Sequence, residues 1–199
     1  MISITAAVEG PSDEGAVTAI LRECGFTVGM FLGGGGRTGI LKKIGAYNLA
    51  AKHSPWFVLV DLDSPDSCVV EKLGSWLPDP SEMMVFRVAV AELESWLLAD
   101  REAIANFLGV SQDKVPRNPD SLLDPKQTIV NLARASRKRD IREGVAPKAK
   151  SGATVGPTYV SDLREFGLKQ WRPRIAASES PSLNRCIRRL DALAARLRN

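Results

Sequence analysis

The sequence predicts an α/β fold, with a mostly parallel central sheet covered by helices, and three observations carry that prediction. Strand-length apolar runs alternate with amphipathic segments of helical length through the first half of the chain. The run Trp56-Phe57-Val58-Leu59-Val60 is apolar at five successive positions, the mark of a strand buried on both faces of a parallel sheet. Acidic residues follow two of the strand-like runs directly, at the carboxyl ends where open parallel sheets collect ligands.

Residues 2–8 are short, apolar and partly β-branched, and Gly10-Pro11-Ser12 interrupts them, so a buried strand ends near Glu9. A helix follows, with Ser12 as N-cap, Asp13 and Glu14 in the first turn and Ala16, Ile20 and Leu21 on the buried stripe. Cys24-Gly25 stops it. Residues 26–32 read as the second strand, closed by Gly33-Gly34-Gly35-Gly36, and Leu41, Ile44 and Leu49 mark the buried face of a second helix. The strong strand at 56–60 runs into Asp61-Leu62-Asp63. A helix over 67–77, a fourth strand over 83–90 and a fourth helix over 92–108, with Leu93, Trp96 and Leu97 facing inward, complete the alternation.

Beyond Leu108 the pattern changes. Pro116, Pro119 and Pro125 punctuate a loop, a basic helix is expected over 126–139, and a Gly/Pro-rich segment over 143–158 reads as a mobile surface loop able to close over a substrate. The chain ends in an amphipathic helix over 182–197, with Leu183, Ile187, Leu190, Leu193 and Leu197 on one face. The expected organisation is an α/β unit over 1–108 and a basic helical and loop extension over 109–199 packed on it.

With 199 residues, 44% hydrophobic and 25% charged, the chain has the composition of an ordinary globular protein. The apolar start is cut short by Glu9, so neither a signal peptide nor a membrane span is expected, and the expected location is cytoplasmic. Cys24, Cys68 and Cys186 are far apart and odd in number, which argues against a disulfide framework. A single histidine and no Cys-x-x-Cys spacing argue against zinc, so any metal should have carboxylate ligands. The net charge of +4 is uneven: residues 1–133 hold 11 Lys/Arg against 17 Asp/Glu, a net −6, and residues 134–199 hold 16 against 6, a net +10. An acidic body beside a basic surface suits a polyanionic partner, since clustered cations displace counterions from phosphates.

Glu9 follows the first strand, and Asp61 and Asp63 follow the strongest one. If those strands are neighbours, three carboxylates converge, a costly arrangement unless protons or a hard divalent cation neutralise it. Mg²⁺ is the expected occupant, with Mn²⁺ as a substitute, because it takes few carboxylates and bridges to phosphate oxygens.

Val8-Glu9-Gly10-Pro11-Ser12-Asp13 together with Val60-Asp61-Leu62-Asp63 resembles the signature of the Toprim module of topoisomerases, primases and OLD-family nucleases. The resemblance covers about residues 1–100, and the stretch from Ala91 to Asp100 is also similar to a small, uncharacterised bacterial group of Toprim-like proteins. It implies a Toprim-like, Rossmann-related sheet, catalytic and metal-binding roles for Glu9, Asp61 and Asp63, and a second metal position completed by Asp13 and Glu94, with Glu92 as the second choice to Glu94. The chain departs from those nucleases in having no attached ATPase domain, and no tyrosine stands in the setting of a topoisomerase nucleophile. Tyr159 reads as packed or loop-anchoring.

The expected function is therefore a Mg²⁺-dependent nuclease. Lys148 and Lys150 are candidates for holding the scissile phosphate, and Arg37, Lys138, Arg139, Arg185 and Arg189 for contacting the nucleic acid. The run Gly33–Gly36 is a flexible loop first and a phosphate contact second. Two other readings compete: a silent Toprim-fold subunit working with a separately encoded ATPase, and a metal-dependent phosphatase or nucleotidyl transferase acting on a small nucleotide.

Overall fold

The computed structural model describes residues 1–62, 69–90 and 92–198. Four strands, β1 (Ile2–Ala7), β2 (Phe26–Leu32), β3 (Trp56–Asp61) and β4 (Met84–Ala89), form one sheet in the order β2-β1-β3-β4. Every pairing is parallel. The chain leaves β1 through α1 (Asp13–Glu23) to β2 on one side, then returns through α2 (Gly36–Ala50) to β3 on the other. The switch in direction falls between β1 and β3, whose carboxyl ends therefore flank the crevice where Rossmann-like sheets bind ligands.

Side chains alternate across the sheet as the two-residue period requires. Ile4, Ala6, Phe57, Leu59 and Val85 enter the larger apolar cluster, and Ala7, Trp56, Val58, Val60, Met84, Phe86 and Val88 enter the smaller one. The smaller cluster is covered by Ile40 and Ile44 of α2 and by Leu73 of α3 (Val69–Trp76). The larger runs without a break from β1 into the C-terminal third. It takes in Tyr159, Leu163 and Phe166 of α8 (Tyr159–Lys169) and Leu183, Ile187 and Leu190 of α10 (Pro181–Arg198).

The tightest crossing is between α1 and α8. A Cβ on Gly15 would lie 2.0 Å from the Arg164 carbonyl oxygen, and one on Gly167 would lie 2.7 Å from the Ala16 nitrogen. Glycine is thus what lets the two backbones meet, and an Arg164–Glu14 ion pair of 3.0 Å fixes the rim.

Several expected boundaries move, each for a tertiary reason. The helix expected over 92–108 is two, α4 (Leu93–Ala99) and α5 (Arg101–Leu108). Buried Asp100 parts them: its carboxylate caps α5 through the Ala103 N–H at 3.2 Å and takes a charge-assisted bond from Arg172 at 2.6 Å. The basic helix expected over 126–139 is α6 (Pro125–Arg134), started by the Asp124 cap and followed by α7 (Arg139–Gly144). Between them the chain bends toward α5, where Arg137 N–H donates to the Gly109 carbonyl. Ser12 makes no side-chain cap to α1; its hydroxyl donates to Asp13 instead. Leu49 falls on the outer face of α2 and is 60% exposed. In the segment 143–158, Val145 and Ala146 are buried, and the Gly156 and Thr158 N–H groups donate to Val145 and Gly144. The base of that loop is pinned at residues 144–146 and 156, and residues 148–154 stand in solvent. The remaining helix, α9 (Pro173–Glu179), packs against α10 and α4. Among the described residues no helix is long and apolar enough to cross a membrane.

Candidate acidic site at the switch point

β1 and β3 are neighbours, so the carboxylates that follow them meet. Glu9 Oε1 accepts a hydrogen bond of 2.8 Å from the Asp61 N–H, which ties the two strand ends together just past their last paired residues. Asp61 Oδ1 in turn accepts from the Leu93 N–H, 3.0 Å away at the start of α4. Asp61 is therefore oriented by backbone on one side and drawn into a group of acids on the other. Burial raises its pKa well above the ordinary 3.8, and Glu94, Asp13, Glu9 and Glu92 raise it further.

The four other acids differ in what already holds them. Asp13 accepts from the Gly10 N–H at 2.9 Å and the Ser12 hydroxyl at 3.0 Å, so it locks the turn between β1 and α1. Burial raises its pKa against those bonds. Glu92 accepts from the Lys126 backbone N–H at 2.9 Å and its ammonium at 3.3 Å, which docks the start of α6. Glu94 is 5% exposed; its Oε1 accepts from the Tyr159 hydroxyl at 2.9 Å and lies 3.7 Å from Lys126 Nζ. Burial raises the Glu94 pKa and Lys126 opposes the rise. For Lys126 burial is again the largest single influence and lowers the pKa, but the combined pull of Glu94 and Glu92 outweighs it and holds the ammonium above its ordinary 10.5. The Tyr159 phenol is pushed up by burial first and by the Glu94 charge second.

The glycine run supplies the opposite wall. Gly34, Gly35 and Gly36 all have positive φ, at 96°, 84° and 58°, a backbone that residues with a Cβ rarely adopt. It turns β2 directly into α2 and brings Gly36 beside Glu9 Oε2, 3.7 Å from where a Cβ would stand. One residue on, the Arg37 guanidinium donates to the Asp61 and Leu62 carbonyls at 3.1 and 2.9 Å. Arg37 thus fastens α2 to the end of β3.

Of the acids singled out in the sequence, Glu9, Asp13, Asp61 and Glu94 come together with Glu92, whereas Asp63 lies outside the described residues. Among the described residues no three acidic, histidine or cysteine side chains are drawn close enough to enclose an ion by themselves. The basic candidates other than Arg37 are scattered. Lys138 Nζ donates to the Asn106 and Phe107 carbonyls and so caps α5, and Arg139 pairs with Glu143 one turn along α7. Lys148 and Lys150 stand exposed on the loop tip, Lys150 with a positive φ of 63°. Arg185 is exposed and Arg189 half-buried on α10.

Tyr159 is packed, as the sequence suggested; what sequence reasoning missed is its bond to Glu94, and Lys126 altogether. Lys126 is the first residue after Pro125 of an N-terminal helical turn, and Tyr159 opens α8 after a Gly/Pro segment. Neither position signals a carboxylate partner, because both partners are distant in sequence. Replacing Lys126 with Met leaves Glu94 buried without its cation. With the Lys126 side chain 41% exposed, the expected loss is about 1–2 kcal/mol rather than the larger cost of a fully buried pair. Urea unfolding at neutral pH measures it, and an unchanged midpoint would show that solvent already screens the pair.

Compared with known proteins, the chain shows no significant match to any family model, curated protein sequence or solved structure.

Proposed function

We propose that the chain is a divalent-cation-dependent nuclease, in which Glu9 and Asp61, together with Asp63 of the Asp-x-Asp pattern, are the ligands of Mg²⁺ or Mn²⁺. One observation carries the reading: Asp61 is held by Glu9 and by α4 at the switch point of the sheet, among four other carboxylates that raise its pKa. The donor set fits a hard cation, since every ligand offered is a carboxylate oxygen. When bound, such an ion supplies Lewis acidity toward a phosphate oxygen and lowers the pKa of water.

The chain's own residues supply position and charge. Glu9 and Asp61 stay aligned because backbone N–H groups hold one oxygen of Asp61 and one of Glu9. Glu94 is already engaged by Tyr159 and Lys126, so the reading is of a single-ion site in which the Lys126 ammonium provides the second positive charge. The glycine-lined start of α2 lies beside Glu9 at Gly36, and the N–H groups of a helix N-terminus suit a phosphate oxygen. The C-terminal basic excess favours a polynucleotide without reading its sequence.

The test is calorimetric titration of Mg²⁺ and Mn²⁺ into the wild type and Asp61→Asn, with the same samples then incubated with labelled DNA and RNA. The expected result is saturable binding by the wild type and cleavage that falls by at least about a hundredfold in Asp61→Asn. Metal binding without cleavage of either polymer would replace the nuclease with the partnered, silent subunit. No metal binding would remove the site.

A further inference from the structure

The outer edge of β4 carries a concentration of charge opposite in sign to the acidic site. β4 is the last strand of the sheet, and Arg87 sits midway along it, in register with Leu59 of β3. Its Nη1 donates to the Phe86 carbonyl at 2.8 Å, while its Nε is buried with no hydrogen-bond partner among the described residues. A buried guanidinium N–H without an acceptor is rare and calls for an explanation. Burial lowers the Arg87 pKa first; the Cys186 thiol opposes this, and Arg189 and Arg185 of α10 lower it further. No carboxylate figures among these influences, and among the described residues none of the three arginines has an acidic partner. This contrasts with Arg172, Arg174 and Arg196, each of which is paired with an acid.

A cavity of about 280 Å³ opens beside them, between α3, β4 and α10. Arg87 and Arg189 line one part of it, and Leu73, Leu77, Pro80 and Phe86 supply apolar wall. Two forked guanidinium groups without a counter-charge match a phosphate monoester, which accepts from both and offsets more charge than one carboxylate would. The apolar wall suits a body larger than the anion itself. A polynucleotide instead tracks along an open groove through many phosphates, and a cavity of this size holds one unit.

We propose that this cavity is a binding site for a phosphorylated small molecule of mononucleotide size, with Arg87 and Arg189 on its phosphate and Leu73, Leu77 and Phe86 against its body. The site lies at the outer edge of the sheet and does not depend on the metal reading, whose residues follow β1 and β3. Its occupancy is a second, separate binding function of the chain.

The experiment is calorimetric titration of the full chain with adenosine 5′-monophosphate, inorganic phosphate and a twelve-residue oligothymidylate, repeated with Arg189→Gln and Asp61→Asn. The expected result is saturable binding of the monophosphate, tighter than inorganic phosphate, weakened at least about tenfold by Arg189→Gln and unaltered by Asp61→Asn. Circular dichroism checks that Arg189→Gln folds, which its half-buried place on α10 favours. Arg87→Gln is the second variant, expected to weaken binding likewise. The proposal is overturned if the monophosphate does not bind, if both arginine variants bind it as the wild type does, or if inorganic phosphate binds as tightly. Arginine-dependent binding of the oligonucleotide alone would also overturn it, in favour of a polymer contact. Loss of metal binding in Asp61→Asn with monophosphate binding intact would keep the two sites distinct.

Discussion

Asp61→Asn is expected to make the metal-free protein more stable at neutral pH while abolishing its metal response. Asparagine retains an oxygen for the Leu93 N–H, so the hydrogen bond of 3.0 Å has a successor, and the charge that Glu94, Asp13, Glu9 and Glu92 oppose is gone. The sign follows from the direction of the shift. The folded carboxyl keeps its proton to a higher pH than the unfolded one, whose ordinary value is 3.8. Its contribution to stability is therefore complete below that value and is lost as pH rises through the raised folded value. Lys126 does not blur this window, because its raised pKa keeps it charged until well above 10.5. The variant should gain about 1–2 kcal/mol at pH 8, roughly 2–8 °C in Tm for a chain of this size, and much less near pH 4. Mg²⁺ should raise the Tm of the wild type at pH 8 and leave the variant unmoved. Differential scanning calorimetry at both pH values, with and without Mg²⁺, makes the comparison. A variant less stable than the wild type at pH 8 would mean that Asp61 is compensated in some way other than by an ion.

Gly15→Val is expected to have the largest effect on the fold itself. Even the first side-chain carbon would stand 2.0 Å from the Arg164 carbonyl oxygen, which belongs to backbone and cannot swing aside. The same crossing offers little relief from the other helix, since a Cβ on Gly167 would itself stand 2.7 Å from the Ala16 backbone nitrogen. The two helices would have to separate, and Val17, Ile20, Leu163 and Phe166 would lose contact in the larger apolar cluster. A loss of about 3 kcal/mol or more is expected, at the upper end of overpacking. Urea denaturation gives the number. Because the proposed ligands Glu9 and Asp61 are held by β1, β3 and α4, a folded Gly15→Ala should retain whatever cation affinity the wild type has. A wild-type midpoint for Gly15→Val would show that α8 can detach without cost.

How much of this was legible beforehand depends on the distance over which each feature is specified. The parallel sheet was legible because a strand buried on both faces must be apolar at successive positions, as Trp56 to Val60 are. The turns were legible because Gly-Pro and Gly-Gly runs restrict the backbone locally. Glu9 and Asp61 were legible as strand-end acids, and their meeting followed once β1 and β3 proved to be neighbours. The break at Asp100 was not, since it rests on Arg172, and the end of α6 was not, since it rests on the carboxyl end of α5. The sequence by itself determined the alternation of strands and helices, the strand-end positions of Glu9 and Asp61 and the basic tail, each of which is written in a local stretch of residues. Only the tertiary structure decided that Lys126 and Tyr159 hold Glu94, that two glycines let α1 and α8 touch, and that Arg87 and Arg189 face one cavity. Each of those depends on residues brought together by packing, and packing has no period along the chain.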